Sequence, residues 1–181
     1  SEKELMSKIS FVFQDSRLLK KSFKENIMMG SNASVEDIQT AVHKAQCDDI
    51  IAKFNTGLDT KIGTEGVYLS GGETQRMTLA RAIVKNAPIL LLDEATAYAD
   101  SDNEYLMQKA ILELSKNKTT IMIAHRLSTI VNVDCIYVVD DGKIVESGTH
   151  KELIANDGLY AEMWSQYRQS VDWKVGEFVC C

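Results

Sequence analysis

Residues 69–94 read LSGGETQRMTLARAIVKNAPILLLDE, and this stretch decides which fold the chain can adopt. Ser70 and Glu73 have the spacing of a capping box, so a helix is predicted to begin at Ser70. Apolar residues then recur at helical spacing until Pro88, which cannot continue a helix. The continuous apolar run at residues 89–92 predicts a strand covered on both faces, as in a parallel sheet.

The flanking sequence extends this pattern into an α/β fold. A strand, a helix and a second strand over residues 89–124 form one crossover unit. Asp141-Gly142 predicts a two-residue turn between two later strands, and residues 57–66 form a glycine-punctuated loop. Further strands are predicted at residues 10–13, 119–124, 135–139 and 143–146, and further helices from 34, at 48–54, at 102–115 and from 149.

The composition is that of a globular domain, with 45% hydrophobic and 25% charged residues. The net charge of -6 argues against a broad nucleic-acid-binding surface. No apolar run approaches the ~20 residues of a membrane-spanning helix, and no signal peptide is recognisable, so a soluble chain is predicted. The cysteines lack metal-ligand spacing and are read as reduced cytosolic thiols, with lipid attachment at the last two as the alternative: Cys47, Cys135, Cys180 and Cys181.

Two interpretations stay open for the turn at Ser70, Gly71 and Gly72. It can simply cap the helix, since glycines before a helix are common. Alternatively, a helix N-terminus with two residues that lack Cβ exposes unpaired N–H groups, which suit a phosphate, and the Ser70 hydroxyl adds a donor.

Polar side chains follow three of the predicted strands. Asp93 and Glu94 end the strand at 89–92, where charges are costly unless they have partners or a function. An Asp at this edge of a parallel sheet can hold Mg²⁺, and a neighbouring Glu can orient or deprotonate water. The alternative is that this pair merely starts a helix. His125 and Gln14 end two further strands and are expected at the same edge.

Together these residues resemble the ATP-binding cassette (ABC) family, from residue 10 to about 166. Glu73 stands where that family more often has Gln. The order and intervals of the motifs agree with the family: residues 11–15 resemble the Q-loop, 69–73 the signature, 89–94 Walker B with the catalytic glutamate, 95–100 the D-loop and 123–126 the H-loop.

The resemblance is closest to cassettes that work with exporter-type membrane domains. Residues 23–27 (FKENI) resemble the stretch under the membrane domain, 62–66 the X-loop, and 142–153 the segment after the H-loop. The X-loop glutamate is displaced to Glu65, after Thr64, and the D-loop reads ATAYAD.

No Walker A sequence G-x-x-x-x-G-K-[ST] and no upstream stacking aromatic occurs in the chain. The N-terminal part of the domain is therefore expected to lie outside this sequence. Its absence is expected to leave an edge or an apolar face of the sheet exposed.

The resemblance implies an α/β fold, with a P-loop NTPase-like parallel sheet core and a helical signature subdomain. The predicted organisation is a partial ATPase domain at residues 1–170 and a tail at 171–181. Within the domain, the signature subdomain is placed at about 24–88, the core strands and hairpin at 89–148, and the C-terminal helices at 149–170.

The resemblance also implies roles for the site residues, with ATP and Mg²⁺ as ligands held between two such domains. Glu94 would polarise the attacking water and His125 would contact the γ-phosphate. Asp93 and Gln14 would hold Mg²⁺. The remaining nucleotide-binding residues are Ser70, Gly71, Gly72, Glu73 and Asp100, of which the first three would grip the γ-phosphate of the partner's nucleotide.

The implied function is an ATPase that couples hydrolysis to transport by an ABC transporter, at the cytoplasmic face of a membrane. Its partners would be a transmembrane permease domain, fused or separate, and a second nucleotide-binding domain, identical or not; no nucleic acid is expected. The chain alone is expected to be inactive. The alternatives are a soluble ABC-class ATPase acting on nucleic acid or ribosomes, and a non-catalytic interaction fragment.

Overall fold

The computed structural model describes residues 1–14, 16–63, 67–93, 101–124 and 126–176. The strands of this part are β1 (Ile9–Val12), β2 (Ile89–Asp93), β3 (Thr119–Ile123), β4 (Ile136–Asp140) and β5 (Lys143–Gly148). Its helices are α1 (Glu2–Ser7), α2 (Phe23–Met28), α3 (Val35–Lys44), α4 (Asp48–Ala52), α5 (Gly71–Lys85), α6 (Ser101–Ser115), α7 (His150–Ala155) and α8 (Leu159–Gly176). Short 3-10 helices lie at Gly57–Asp59 and Leu127–Ile130.

The parallel sheet is built around β2, the strand with the continuous apolar sequence. β1 and β3 flank β2 and both run parallel to it, with Val12 opposite Leu92 and Asp93 opposite Ile123. Helix α6 lies between β2 and β3 in the chain, as the predicted crossover unit requires. The predicted α/β class is confirmed, and the register brings the ends of the three strands to one edge.

The two faces of this sheet differ in burial. Leu90 and Leu92 are almost completely buried and belong to the same core as residues of α5 and α6. On the opposite face Leu91 is only half-buried, and Ile121 and Ile123 are 57% and 58% exposed. The prediction that residues 89–92 are covered on both faces is therefore wrong, because the helices that bury Leu90 and Leu92 leave the other face open. The expected exposed apolar face is present.

Serine side chains begin the helices that pack around α5. Ser22, Ser34 and Ser70 each form a capping box with the acidic residue three positions later, which satisfies N–H groups of the first turn. The box predicted at Ser70 is confirmed, and the helix predicted from residue 34 begins with a box at Ser34. Helix α5 ends at Lys85, and its C-cap residue, Asn86, has a φ of 48° and lies shortly before Pro88. The helix packs against α2, α3, α6 and β1.

The hairpin of β4 and β5 forms where the sequence predicts it. Asp140 lies opposite Lys143, so Asp141 and Gly142 are the two loop residues. Their φ values are 45° and 73°, the left-handed pair of a type I′ turn, whose twist matches that of the strands.

Helices α7 and α8 bury an aromatic face against this hairpin. Tyr160 is 1% exposed, and Trp164 and Tyr167 pack against the same core, together with Leu153. The Glu146 carboxylate of β5 accepts the Tyr160 N–H at 3.1 Å and so caps α8. The helical prediction from residue 149 onward is confirmed.

The chain divides into two compact units, Ser1–Ile123 and Ala124–Cys181. The first contains the parallel sheet and the helices around α5, and the second contains the hairpin with α7 and α8. The boundaries predicted at residues 88 and 148 stay predictions; helix α8 continues past residue 170, where the tail was predicted to begin. None of the helices in the described part combines the length and apolar character needed to cross a membrane.

Candidate functional site

The turn at Ser70 presents the N-terminus of α5. The Ser70 hydroxyl accepts the Glu73 N–H at 3.2 Å, and the Ser70 N–H donates to the Glu73 carboxylate at 2.8 Å. Gly71 is exposed and Gly72 is buried. Helical bonding leaves the N–H groups of Gly71 and Gly72 without an acceptor inside the helix. The cap is thus formed, and it leaves two donors of the kind that bind phosphate.

Glu73 has a second partner that the sequence pattern does not reveal. Its carboxylate also binds the ammonium group of Lys53, the C-cap residue of α4. Partial burial raises the pKa of Glu73, but the hydrogen bonds and charge of Lys53 and the bond from Ser70 outweigh it, so the pKa is lowered overall. The replacement of Gln by Glu in the signature was the available signal for such a cationic partner.

Gln14 and Asp93 are brought to the carboxyl edge of the parallel sheet. Asp93 is the last residue of β2 and lies opposite Ile123. Gln14 follows β1, whose Val12 lies opposite Leu92. Both side chains are half-buried. Gln14 and Asp93 therefore lie at the sheet edge that the sequence predicted. Their roles stay predictions.

The chemistry of this edge fits a magnesium nucleotide, provided that phosphate supplies ligands too. Mg²⁺ binds through one or two carboxylates together with phosphate oxygens and water, and Asp93 offers one carboxylate and Gln14 an amide oxygen. Among residues 1–14, 16–63, 67–93, 101–124 and 126–176, no group of three or more His, Cys, Asp or Glu side chains is placed to hold a metal ion.

Several predicted site residues cannot be placed. Glu94, Asp100 and His125 lie outside the described residues, as do Thr64 and Glu65 of the X-loop. Within the part that is described, no hydrogen bond or ion pair joins residues 70–73 to Gln14 or Asp93.

Arg76 fixes the signature helix α5 to the helices before it. Its side chain is 2% exposed, and its guanidinium binds both oxygens of Asp49, at 2.8 and 3.0 Å, and the Gln46 carbonyl. Burial raises the pKa of Asp49, but the hydrogen bonds and charge of Arg76 outweigh burial and lower it overall. The sequence did not predict this pair because its members are far apart in the chain.

Arg81 makes a second link, from α5 to α2. Its Nε–H donates to the Asn26 carbonyl at 2.9 Å. Asn26 is buried, and its side chain accepts the Leu19 N–H at 2.7 Å and donates to the Ser22 carbonyl at 3.0 Å. Asn26 belongs to the segment that resembles the stretch under the membrane domain, so α5 is bonded directly to that segment.

A protein-family model described as ABC transporter matches residues 1–97, more than half of the chain. The chain belongs to the ABC transporter family. The matched part of this ABC protein contains Gln14, the Ser70 turn and Asp93, and the match agrees with the resemblance of their motifs.

Curated relatives have transporter names. The chain is 48% identical to the mycobactin import ATP-binding/permease protein IrtA of Mycolicibacterium thermoresistibile. The alignment of 168 residues covers 92% of this chain and 18% of that protein. It is 49% identical to the ATP-dependent lipid A-core flippase of Methylobacillus flagellatus. That alignment of 166 residues covers 91% of this chain and 28% of that protein. The chain thus spans less than a third of the length of these relatives.

The fold is also that of a solved transporter. A structure of a bacterial Atm1-family ABC exporter with ATP bound superposes with a TM-score of 0.84 and 42% identity, over 94% of this chain and 30% of that one. The predicted α/β fold with a P-loop NTPase-like sheet is confirmed by this likeness.

Proposed function

We propose that this chain is part of the ATP-binding domain of an exporter-type ABC transporter and couples ATP hydrolysis to the movement of a substrate across a membrane. One observation carries the proposal: the same unit presents a capped helix N-terminus at Ser70 and an acidic strand end at Asp93, in a chain that matches transporters over nearly its whole length. The first feature suits a phosphate, and the second suits Mg²⁺ bound to one.

Asp93, Gln14 and residues that follow the predicted strands in the sequence take the hydrolytic roles. Asp93 and Gln14 would hold Mg²⁺, which would neutralise negative charge on the phosphates of the nucleotide. Glu94, which follows Asp93 directly, orients and deprotonates the attacking water. His125 would contact the γ-phosphate, and Asp100 would complete the nucleotide-binding set with the signature turn, whose helix Glu73 caps.

The signature turn acts on a nucleotide held by a second ATP-binding domain. Gly71 and Gly72 supply backbone N–H groups, and Ser70 supplies its hydroxyl hydrogen, to the γ-phosphate of that nucleotide. The exposure of Gly71 supports this role, because a phosphate can approach the backbone closely where no Cβ intervenes. Closure of the two domains around ATP and reopening after hydrolysis would then drive transport.

The membrane partner is a permease domain, and the ATP-binding domain lies at the cytoplasmic face of the membrane. Two observations support the permease partner: relatives carry the words ATP-binding/permease in their names, and the segment that resembles the stretch under the membrane domain is bonded to α5 through Arg81. The names of the relatives and the net charge of -6 both count against a soluble ATPase acting on nucleic acid or ribosomes.

The test is hydrolysis by the full-length protein that carries these residues. Glu94→Gln is expected to leave ATP binding nearly intact and to lower hydrolysis about 10²-fold or more, the scale for losing a general base. Glu36→Gln, on the exposed surface of α3, makes the same chemical change away from the site and should hydrolyse ATP normally. Near-normal turnover in Glu94→Gln would remove Glu94 from this role.

A further inference from the structure

Glu73 places an extra negative charge beside the turn that is proposed to meet a phosphate. Its side chain is 12% exposed, and its carboxylate lies against the Ser70 backbone, with the Ser70 N–H at 2.8 Å. Because its pKa is lowered, Glu73 is ionised at neutral pH. An isolated anion here would repel any phosphate bound at residues 70–72.

Lys53 is placed to remove this repulsion. Its ammonium group binds Glu73 Oε1, while its own side chain is 53% exposed to solvent. The two residues lie on different elements, Lys53 at the C-cap of α4 and Glu73 in the first turn of α5. Lys53 therefore places a positive charge from helix α4 beside the signature turn.

We propose that Lys53 is a positioning residue for nucleotide contact, whose ammonium cancels the charge of Glu73 at the signature turn and holds its carboxylate against the helix N-terminus. This inference rests on the proposed function, because it needs a phosphate at residues 70–72. It assigns Lys53 and Glu73 as a matched pair, in which the cation makes the acidic signature compatible with an anionic ligand.

The pair could act by balancing charge or only by joining α4 to α5. These two explanations predict different results for the single variants Lys53→Met and Glu73→Gln. If charge balance matters, Lys53→Met leaves a net negative charge at the turn and weakens the contact. Glu73→Gln then leaves a net positive charge and strengthens it. If the pair only joins two helices, both changes weaken the contact, because both remove the same bond.

The experiment measures KM for ATP and kcat in the full-length protein, at low and high salt, with thermal unfolding of each variant alongside. Lys53→Met is expected to raise KM about three- to tenfold at low salt, and less at high salt, since the site is partly exposed and screened. Lys53→Arg keeps the charge and should keep KM. Lys109→Met, on the exposed surface of α6, is the matched control and should not change KM.

The double variant decides between the two explanations. Lys53→Met with Glu73→Gln restores a neutral turn, so its KM should return to within about twofold of wild type. A KM that stays raised in the double variant, or that rises in Glu73→Gln alone, overturns the charge-balance proposal while leaving the proposed function in place. A wild-type protein that hydrolyses no ATP contradicts the proposed function, and this proposal falls with it.

Discussion

The Ser70 hydroxyl can cap a helix and bind a phosphate at once, because the two tasks use different parts of it. It accepts the Glu73 N–H through an oxygen lone pair, and its own hydrogen stays available for donation to a ligand. The capping and ligand-binding interpretations of this turn are therefore compatible. Substitutions at neighbouring positions separate them, since the cap depends on Ser70 whereas space for a phosphate depends on Gly71.

Gly71→Asp is expected to impair ATP-dependent association of two full-length copies far more than it lowers the melting temperature. The new carboxylate puts negative charge where the phosphate must sit, while acidic residues are well tolerated in the first turn of a helix. Gly71→Asn has nearly the same shape without the charge, and it should associate better than Gly71→Asp.

Ser70→Ala removes the cap and should lower stability by about 1 kcal/mol. It should also weaken association, because the phosphate loses a donor. The measurements are dimer formation with ATP and thermal melting for all three variants. If association falls only in proportion to stability, Ser70 and Gly71 serve the helix alone.

At the scale of elements, interactions between residues close in the chain could be predicted from the sequence, and interactions between distant residues could not. The boxes at Ser34 and Ser70 join residues three apart, so a short motif specifies each completely. The bonds of Arg76 to Asp49 and of Arg81 to Asn26 join different helices. Arg76 binds a carboxylate and Arg81 a main-chain carbonyl, groups that occur at many positions in the chain, so only the tertiary fold selects the partner.

The Arg76–Asp49 pair predicts a pH-dependent contribution to stability. Asp49→Asn leaves the buried Arg76 guanidinium without its counter-charge. The cost should be about 2 kcal/mol, below the 3–5 kcal/mol seen for fully buried pairs because Asp49 is half-exposed. Since the folded-state pKa of Asp49 is lowered, the contribution is present above the unfolded pKa near 3.9 and is lost as pH falls through the folded value.

Urea unfolding at pH 7 and near pH 3 measures this contribution. The wild type should be more stable than Asp49→Asn at pH 7, and the difference should shrink on acidification. Asp59→Asn, at an exposed position, is the control and should show little difference at either pH. An unchanged gap between wild type and Asp49→Asn at low pH would show that charge pairing is not its source.

At the scale of the whole molecule, the sequence predicted β1, the order of the elements from α3 to β5 and the strand edge that carries Asp93, but it did not predict α1 and α2. Those features follow from hydrophobic periodicity and from the parallel connection through α6. The prediction from the apolar run that both sheet faces are covered was wrong, because an apolar residue such as Ile121 shows that a face can be buried and does not show that another element covers it. Placement of Glu94 and His125 likewise stays a prediction.

The 181-residue chain is expected to bind Mg-ATP very weakly and to hydrolyse it negligibly. It contains no Walker A sequence, and so it has neither the nest of N–H groups for the β-phosphate nor the lysine that neutralises the β- and γ-phosphates. Asp93 and Glu94 alone would repel a triphosphate. The exposed Ile121 and Ile123 should also make the chain marginally stable and prone to aggregate.

Calorimetric titration of this chain with Mg-ATP, together with a phosphate-release assay, checks that expectation. Micromolar affinity with steady turnover would show that the phosphate site lies in residues to which no such role has been given.

The most direct test of the proposed shared ATP site uses full-length dimers with two defects, Glu94→Gln and Gly71→Asp, in two arrangements. If each site is made from the sheet edge of one copy and the signature of the other, placing both changes in one copy puts one defect in each of the two sites. When each copy carries one change, both defects fall in the same site and the other stays intact. ATP hydrolysis by purified mixed dimers should therefore be much higher in the second arrangement than in the first. The opposite order would show that each copy completes its own site, and it would contradict the proposal.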